Sequence, residues 1–352
     1  MFSSLPFSYL FLGVMGTGTL LSISSIHWLG IWAGLEINLI GFLPMLVYQK
    51  STSESESAVK YFIIQALGSS FIMFGSLLMF SMSFTWDMGS GVISTSNFGL
   101  VVMLSGLCVK LGLFPFHYWL PSVMAGLPWI TCLLLATWQK FAPLFLMLCL
   151  LELSQSGYFT FVICFVSAGS SLIGGIGGIN QTQIRALLAY SSIGHLGWMA
   201  FAALNSEWSM KTYLVIYIMV SISMFMSLWY SDSGIMKNIN NLKNSGSLQL
   251  SVILLLLSLG GLPPLLGFVS KWLVILSGAS GPWVPTIFLL VLGSLMSLFY
   301  YLTLFFSIFL MSFKKSGLSV KSLHSNKVIV GINMLNILGG VLILTSGLLM
   351  SL

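Results

Sequence analysis

Apolar stretches long enough to cross a bilayer follow one another along the whole chain, separated by short runs of Ser, Gly, Asn and charged residues. A spanning helix needs about 20 mostly apolar residues. On that measure the sequence predicts eleven helices, near 5–25, 26–48, 58–83, 98–120, 128–150, 155–179, 182–204, 208–230, 248–276, 283–311 and 327–351. The longest connections fall at 84–97, 231–247 and 312–326, and no polar stretch is long enough to fold separately. The expectation is an all-α integral membrane protein forming a single membrane domain over 1–352.

Composition gives the same answer independently. Hydrophobic residues make up 57%, charged residues 6%, and the mean hydropathy is +1.02. A soluble domain carries about 25% charged residues, so this chain cannot cover a globular surface and needs lipid to do so. The segment Met1-Phe2-Ser3-Ser4-Leu5-Pro6 has no basic region, no small-residue cleavage site and no Arg, which predicts neither a secretory signal nor a mitochondrial presequence. Cys108, Cys132, Cys149 and Cys164 stand apart in apolar runs without a Cys-x-x-Cys pair, which points to structural thiols and away from zinc or iron–sulfur ligation. The run Gly174-Gly-Ile-Gly-Gly178 ends a membrane helix and does not follow a strand. It is expected to serve close helix packing and not phosphate binding.

The net charge of +6 does not point to nucleic acid, because the basic residues behave as loop anchors. With eleven helices, Lys50, Lys60, Arg185, Lys237, Lys243, Lys314, Lys315, Lys321 and Lys327 fall on the side of the N-terminus, and Lys211 falls opposite. Cytoplasmic or matrix loops carry the excess of Lys and Arg, so the N-terminus is expected on that side and the C-terminus across the membrane. A missed helix in mid-chain would scramble this asymmetry.

Four charges remain inside the apolar segments: Glu36 midway along the second, Lys110 along the fourth, Lys140 along the fifth and Lys271 in the ninth. Each costs roughly 3 kcal/mol at the bilayer centre unless it faces protein or water and has a partner. Glu36 with Lys110 is the natural pair. Desolvation disfavours a charged form, so a lysine able to release its proton beside a carboxylate makes a proton relay. The competing reading is an ion pair that only fixes helix packing, and Lys271 has the further option of snorkelling to the interface. One acid cannot neutralise three lysines. His117 and His195 add imidazoles suited to proton relay, against a plainer role as hydrogen-bonded core residues; His27 and His324 sit at helix ends.

Pro115 in Lys110-Leu-Gly-Leu-Phe-Pro-Phe-His-Tyr-Trp-Leu-Pro121 and the Pro pair in Gly260-Gly-Leu-Pro-Pro-Leu-Leu-Gly-Phe-Val-Ser-Lys271 should break the fourth and ninth helices. Carbonyls freed in a membrane need water or polar side chains, so each break should line a hydrated cavity. Broken helices five apart suggest a first five-helix repeat over 1–150, a second, inverted repeat over 151–311, and a loop with a terminal helix over 312–352. Inverted repeats with discontinuous helices are the architecture of secondary transporters.

The segments 110–121, 189–198 (Ala-Tyr-Ser-Ser-Ile-Gly-His-Leu-Gly-Trp) and 260–272, with Trp-Leu-Gly-Ile-Trp-Ala-Gly-Leu-Glu-Ile-Asn at 28–38, resemble the antiporter-like, proton-conducting membrane subunits of mitochondrial NADH:ubiquinone oxidoreductase, respiratory complex I. The resemblance covers nearly the whole chain. It implies a multi-pass core subunit of the membrane arm in the mitochondrial inner membrane, coupling proton translocation to electron transfer in other subunits. It places the early-helix carboxylate on Glu36, the broken-helix lysine on Lys110, the central-connection lysine on Lys140 and the second broken-helix lysine on Lys271. It implies no redox centre or cofactor on this chain, with NADH, FMN, iron–sulfur clusters and ubiquinone elsewhere in the complex. The implied partners are the other membrane-arm subunits and inner-membrane lipids in a hetero-oligomer, without nucleic acid. Three further helices that precede the first repeat in bacterial members have no counterpart here, as in animal versions. A stand-alone cation/proton antiporter and a scaffold whose charges only hold helices together remain as alternatives.

Overall fold

A computed structural model describes residues 7–47, 51–87, 97–154, 157–231, 246–279, 281–313, 331, 333–334 and 336–341. The helices are α1 (Ser8–Ser24), α2 (Trp28–Leu46), α3 (Thr52–Ser83), α4 (Asn97–Leu111), α5 (Trp119–Gly126), α6 (Trp129–Ala136), α7 (Trp138–Leu153), α8 (Gly157–Ile179), α9 (Ile184–Asn205), α10 (Glu207–Ser231), α11 (Gly246–Gly260), α12 (Leu266–Ala279) and α13 (Val284–Phe313). Among the described residues, seven spans are long and apolar enough to cross a membrane: α2, α3, α6 with α7, α8, α9, α10 and α13. Adding α1 and the two broken spans, α4–α5 and α11–α12, accounts for ten of the eleven expected traverses among the described residues. The eleventh, 327–351, lies largely outside them; positions 331, 333–334 and 336–341 are helical.

Local chemistry explains where the helices begin and stop. α3 starts earlier than hydropathy suggests because Ser51 caps it: its hydroxyl accepts the Glu54 N–H at 3.3 Å, and Glu54 lies in the first turn. That is the Ser-x-x-Glu cap, with the acid favoured at the positive helix end. Hydropathy ignores Thr52–Ser57 because they are polar. The fifth predicted helix is interrupted at Thr137, whose φ of −113° and ψ of −70° separate α6 from α7. The Thr137 hydroxyl donates to Leu133 O at 2.7 Å, a back-bond that bends helices, and Pro143 brings no N–H for the carbonyl of Gln139. Lys140 therefore begins a helix beside an interruption and is not in the middle of a continuous one.

The chain forms two compact units, residues 1–166 and 167–352, with the boundary inside α8. In the first, α1 and α2 cross at small residues. A Cβ on Gly18 would fall 2.5 Å from Asn38 N, and one on Gly41 would fall 2.9 Å from Met15 N. Close approach at small residues is how helices associate in lipid, where no hydrophobic force draws them together. At one end of this unit, His27 Nδ1 and Asp87 Oδ1 lie 2.6 Å apart, and Trp28 N–H donates to Trp86 O at 3.1 Å. The α1–α2 and α3–α4 connections thus share an end, as three successive traverses require.

In the second unit, the run Gly174–Gly178 packs as expected. A Cβ on Gly174 would sit 2.6 Å from Gly194 N on α9, and one on Gly175 would sit 2.7 Å from Gly293 O on α13. The outward faces of this unit are apolar, with Ile176, Phe288, Leu295 and Phe299 exposed.

A side chain at the α1–α2 crossing has no room: a Cβ on Gly34 meets Ser22 N at 2.5 Å and Gly18 O at 2.8 Å, both backbone atoms. Gly34→Val is expected to destabilise the first unit by about 1–3 kcal/mol, read as a lower thermal midpoint of the solubilised protein. An unchanged midpoint would contradict this packing.

Candidate functional site

Each break is built from a glycine followed by a proline. α4 ends at Leu111, Gly112 adopts φ +77°, and Pro115 follows; α11 ends at Gly260, Gly261 adopts φ +80°, and Pro264 follows. Positive φ is a conformation glycine reaches without strain. Both X–Pro bonds, Phe114–Pro115 and Pro263–Pro264, are cis. The reversed chain stacks extra donors on one carbonyl: Cys108 O accepts from Gly112 N at 2.9 Å and Leu113 N at 3.0 Å, and Leu257 O from Gly261 N at 3.1 Å and Leu262 N at 3.2 Å.

The remaining freed carbonyls are satisfied differently in the two units. In the first, Trp119 Nε1 donates to Val109 O at 3.1 Å and Gln65 Nε2 donates to Lys110 O at 3.3 Å. Other side chains therefore serve the break, and the Lys110 ammonium serves Glu36, with Nζ 3.9 Å from Oε1. That is an ion pair too long for a hydrogen bond. The Lys110 side chain is 4% exposed and that of Glu36 25%. In the second unit the lysine itself serves the break: Lys271 Nζ donates to Gly260 O at 2.9 Å and Leu259 O at 3.5 Å. Lys271 is buried, with its ammonium on the carbonyls of the break. The two lysines also stand on opposite sides of their breaks, Lys110 before Gly112 and Lys271 after Gly261.

A cavity of about 20 Å³ in the first unit is lined by Asn38, Tyr61, Gln65, Lys110, Trp119, Gln139 and Lys140, among others. That volume admits one water molecule at roughly 10–15 Å³ each. Lys110 and Lys140 thus share one polar cavity wall. Glu36 is not among its lining residues, so it addresses Lys110 from another side. His117 also stands apart: it is buried, with Nδ1 3.1 Å from Pro115 O and its ring 4.0 Å from that of Tyr118.

The second unit has its own cavity, about 10 Å³, lined by Ser191, His195, Trp198, Lys271, Ser297 and Tyr301, among others. It brings His195 and Lys271 together. His195 Nδ1 is 2.8 Å from the Tyr213 hydroxyl, and its ring lies 5.2 Å from that of Tyr217. The imidazole thus has a buried hydroxyl partner beside the cavity it shares with Lys271.

Attention to titratable groups missed the neutral ones. Asn38, Gln65, Gln139 and Trp119 line the first cavity, and Gln65 and Trp119 bond its break, yet none carries a charge to flag it. The available signal was the same as for the lysines, a polar side chain inside an apolar run, as with Asn38 two positions after Glu36 and Gln139 next to Lys140.

The family model described as NADH:quinone oxidoreductase/Mrp antiporter, TM, matches residues 25–299. NADH-ubiquinone oxidoreductase chain 2 of Anopheles gambiae is 39% identical over 321 residues, covering 91% of each chain. A chain of respiratory complex I from Thermus thermophilus, solved with bound aureothin, superposes with a TM-score of 0.84 at 26% identity, covering 95% of this chain and 78% of that one. A chain of an archaeal membrane-bound sulfane sulfur reductase shares the fold, with a TM-score of 0.82 at 23% identity over 92% of this chain and 70% of that one.

The indole bond to Val109 O makes a specific expectation. Trp119→Phe leaves a buried carbonyl unsatisfied, at roughly 1–3 kcal/mol. Amide exchange of Gly112 and Leu113 should accelerate about ten- to hundredfold; wild-type protection would show that the indole does not hold the break.

Proposed function

Because this chain belongs to the NADH-ubiquinone oxidoreductase chain 2 family, within the NADH:quinone oxidoreductase/Mrp antiporter transmembrane proteins, we propose that its buried lysines are the groups that move protons. It is a core membrane subunit of complex I and takes part in proton translocation. Electron transfer is assigned to other subunits, which hold NADH, FMN, the iron–sulfur clusters and ubiquinone; this chain carries no redox centre. It sits in the mitochondrial inner membrane among other membrane-arm subunits and lipid, with its N-terminus on the matrix side. Residues 1–150 and 151–311 form two inverted five-helix repeats.

The observation that carries the reading is the placement of ionisable side chains in apolar helices beside two helix breaks. Lys110 and Lys140 share a cavity in the first unit, and Lys271 shares one with His195 in the second. Protons enter from the matrix side and load Lys110 under the influence of Glu36. They pass through Lys140 and leave on the other side by way of Lys271. His195, bonded to Tyr213, is the better placed of the two histidines to relay; His117 contacts the backbone of its own break. A change in the 3.9 Å Glu36–Lys110 separation is the proposed means of altering loading.

Replacing Lys140 by Met keeps the volume and removes the titratable group. In an assembled complex, Lys140→Met is expected to lower protons pumped per NADH, and normal pumping would remove Lys140 from the path. For the orientation, Gln181→Cys should react with a membrane-impermeant maleimide from the matrix face and Glu207→Cys from the opposite face; the reverse pattern would invert the assignment.

A further inference from the structure

We propose that Asn38 and Gln139 form a hydrogen-bonded gate that positions Lys110 and Lys140 on their common cavity and controls water, and hence proton, passage between them. Asn38 Nδ2 donates to Gln139 Oε1 at 2.8 Å, and Gln139 Nε2 donates back to Asn38 Oδ1 at 3.2 Å. Gln139 Nε2 also lies 3.7 Å from the Met15 sulfur. The pair therefore ties α2 and α7, and touches α1, at the level of the lysines. Both amides line the cavity that both lysines line.

Three features argue for a gate over a simple tie. The first is chemical. Closing the pair uses one donor and one acceptor of each amide; with the second Gln139 N–H turned to the Met15 sulfur, a lone pair on each oxygen and one N–H of Asn38 are left for water. A neutral amide orients water without taking up the excess proton, as an imidazole would do. The second is position. Gln139 stands between the interruption at Thr137 and Lys140, in the first turn of α7, so a change in the amide contact moves the turn that carries the lysine. The third is size. A cavity of about 20 Å³ holds one water, so a longer file of water needs the wall to open. Parting the two amides is the opening that needs no charge to move and leaves no group without a partner once water enters.

The inference rests on the reading of Lys110 and Lys140 as proton carriers, and the test separates the two. Asn38→Leu with Gln139→Leu replaces both partners by apolar groups of similar size, a change that is close to neutral for stability when made as a pair. In the assembled complex the double variant should pump roughly fivefold more slowly, the rate equivalent of one lost hydrogen bond. Exchanging the residues, Asn38→Gln with Gln139→Asn, keeps the amide contact and should recover pumping to within about twofold. A mere tie predicts reduced assembly with normal pumping by whatever assembles. A double-leucine complex that pumps at the wild-type rate overturns the gate. Should that variant fail to assemble, Gln139→Met beside Met15 decides in its place, wild-type pumping again overturning the proposal. Lys140→Met is measured in parallel. If it pumps normally, the carrier reading itself is wrong; if it is impaired while the amide variants are normal, only the gate is lost.

Discussion

A backbone carbonyl freed inside hydrocarbon has to find a donor, and much of this protein is arranged around that requirement. Each broken helix releases the last carbonyls of its first half inside the membrane, where lipid offers no donor. In the first unit the donors are the Trp119 indole and the Gln65 amide, on elements that are thereby fixed against α4. In the second the donor is the Lys271 ammonium. This choice of donor decides what each lysine is free to do. Lys110, relieved of the backbone, faces Glu36 and a cavity; Lys271 is held by the break.

A common architecture thus yields two different electrostatic sites. The breaks match in glycine, proline and positive φ, so their backbone geometry is nearly the same. The lysines nevertheless stand on opposite sides of them. One faces a carboxylate 3.9 Å away. The other is biased by backbone dipoles, which move only if the break itself moves. Such a pair suits a device in which one site is loaded by a side-chain shift and another is released by a helix shift.

Much of this was legible in the sequence, for reasons that are physical. Hydropathy located the traverses among the described residues, since it follows from the bilayer and not from tertiary detail. Pro115 and Pro263–Pro264 announced the breaks because a proline cannot donate. Glu36 with Lys110 was legible as a pair because an isolated charge in lipid is too costly. The interruption before Lys140 was not legible: it arises from a threonine back-bond that depends on the surrounding packing. The early start of α3 escaped hydropathy because capping residues are polar. The amide pair of Asn38 and Gln139 joins residues 101 positions apart, and nothing along the chain says which buried amides will meet.

The central claim is that the Glu36–Lys110 pair works by holding a proton and not merely by joining two helices. Neutralising both partners at once tests it most directly, because removing both charges of a buried pair is often harmless to stability whereas removing one is not. In a complex carrying Glu36→Gln together with Lys110→Met, the account predicts normal assembly and a marked fall in protons translocated per NADH oxidised. Wild-type translocation by that assembled double variant would contradict it.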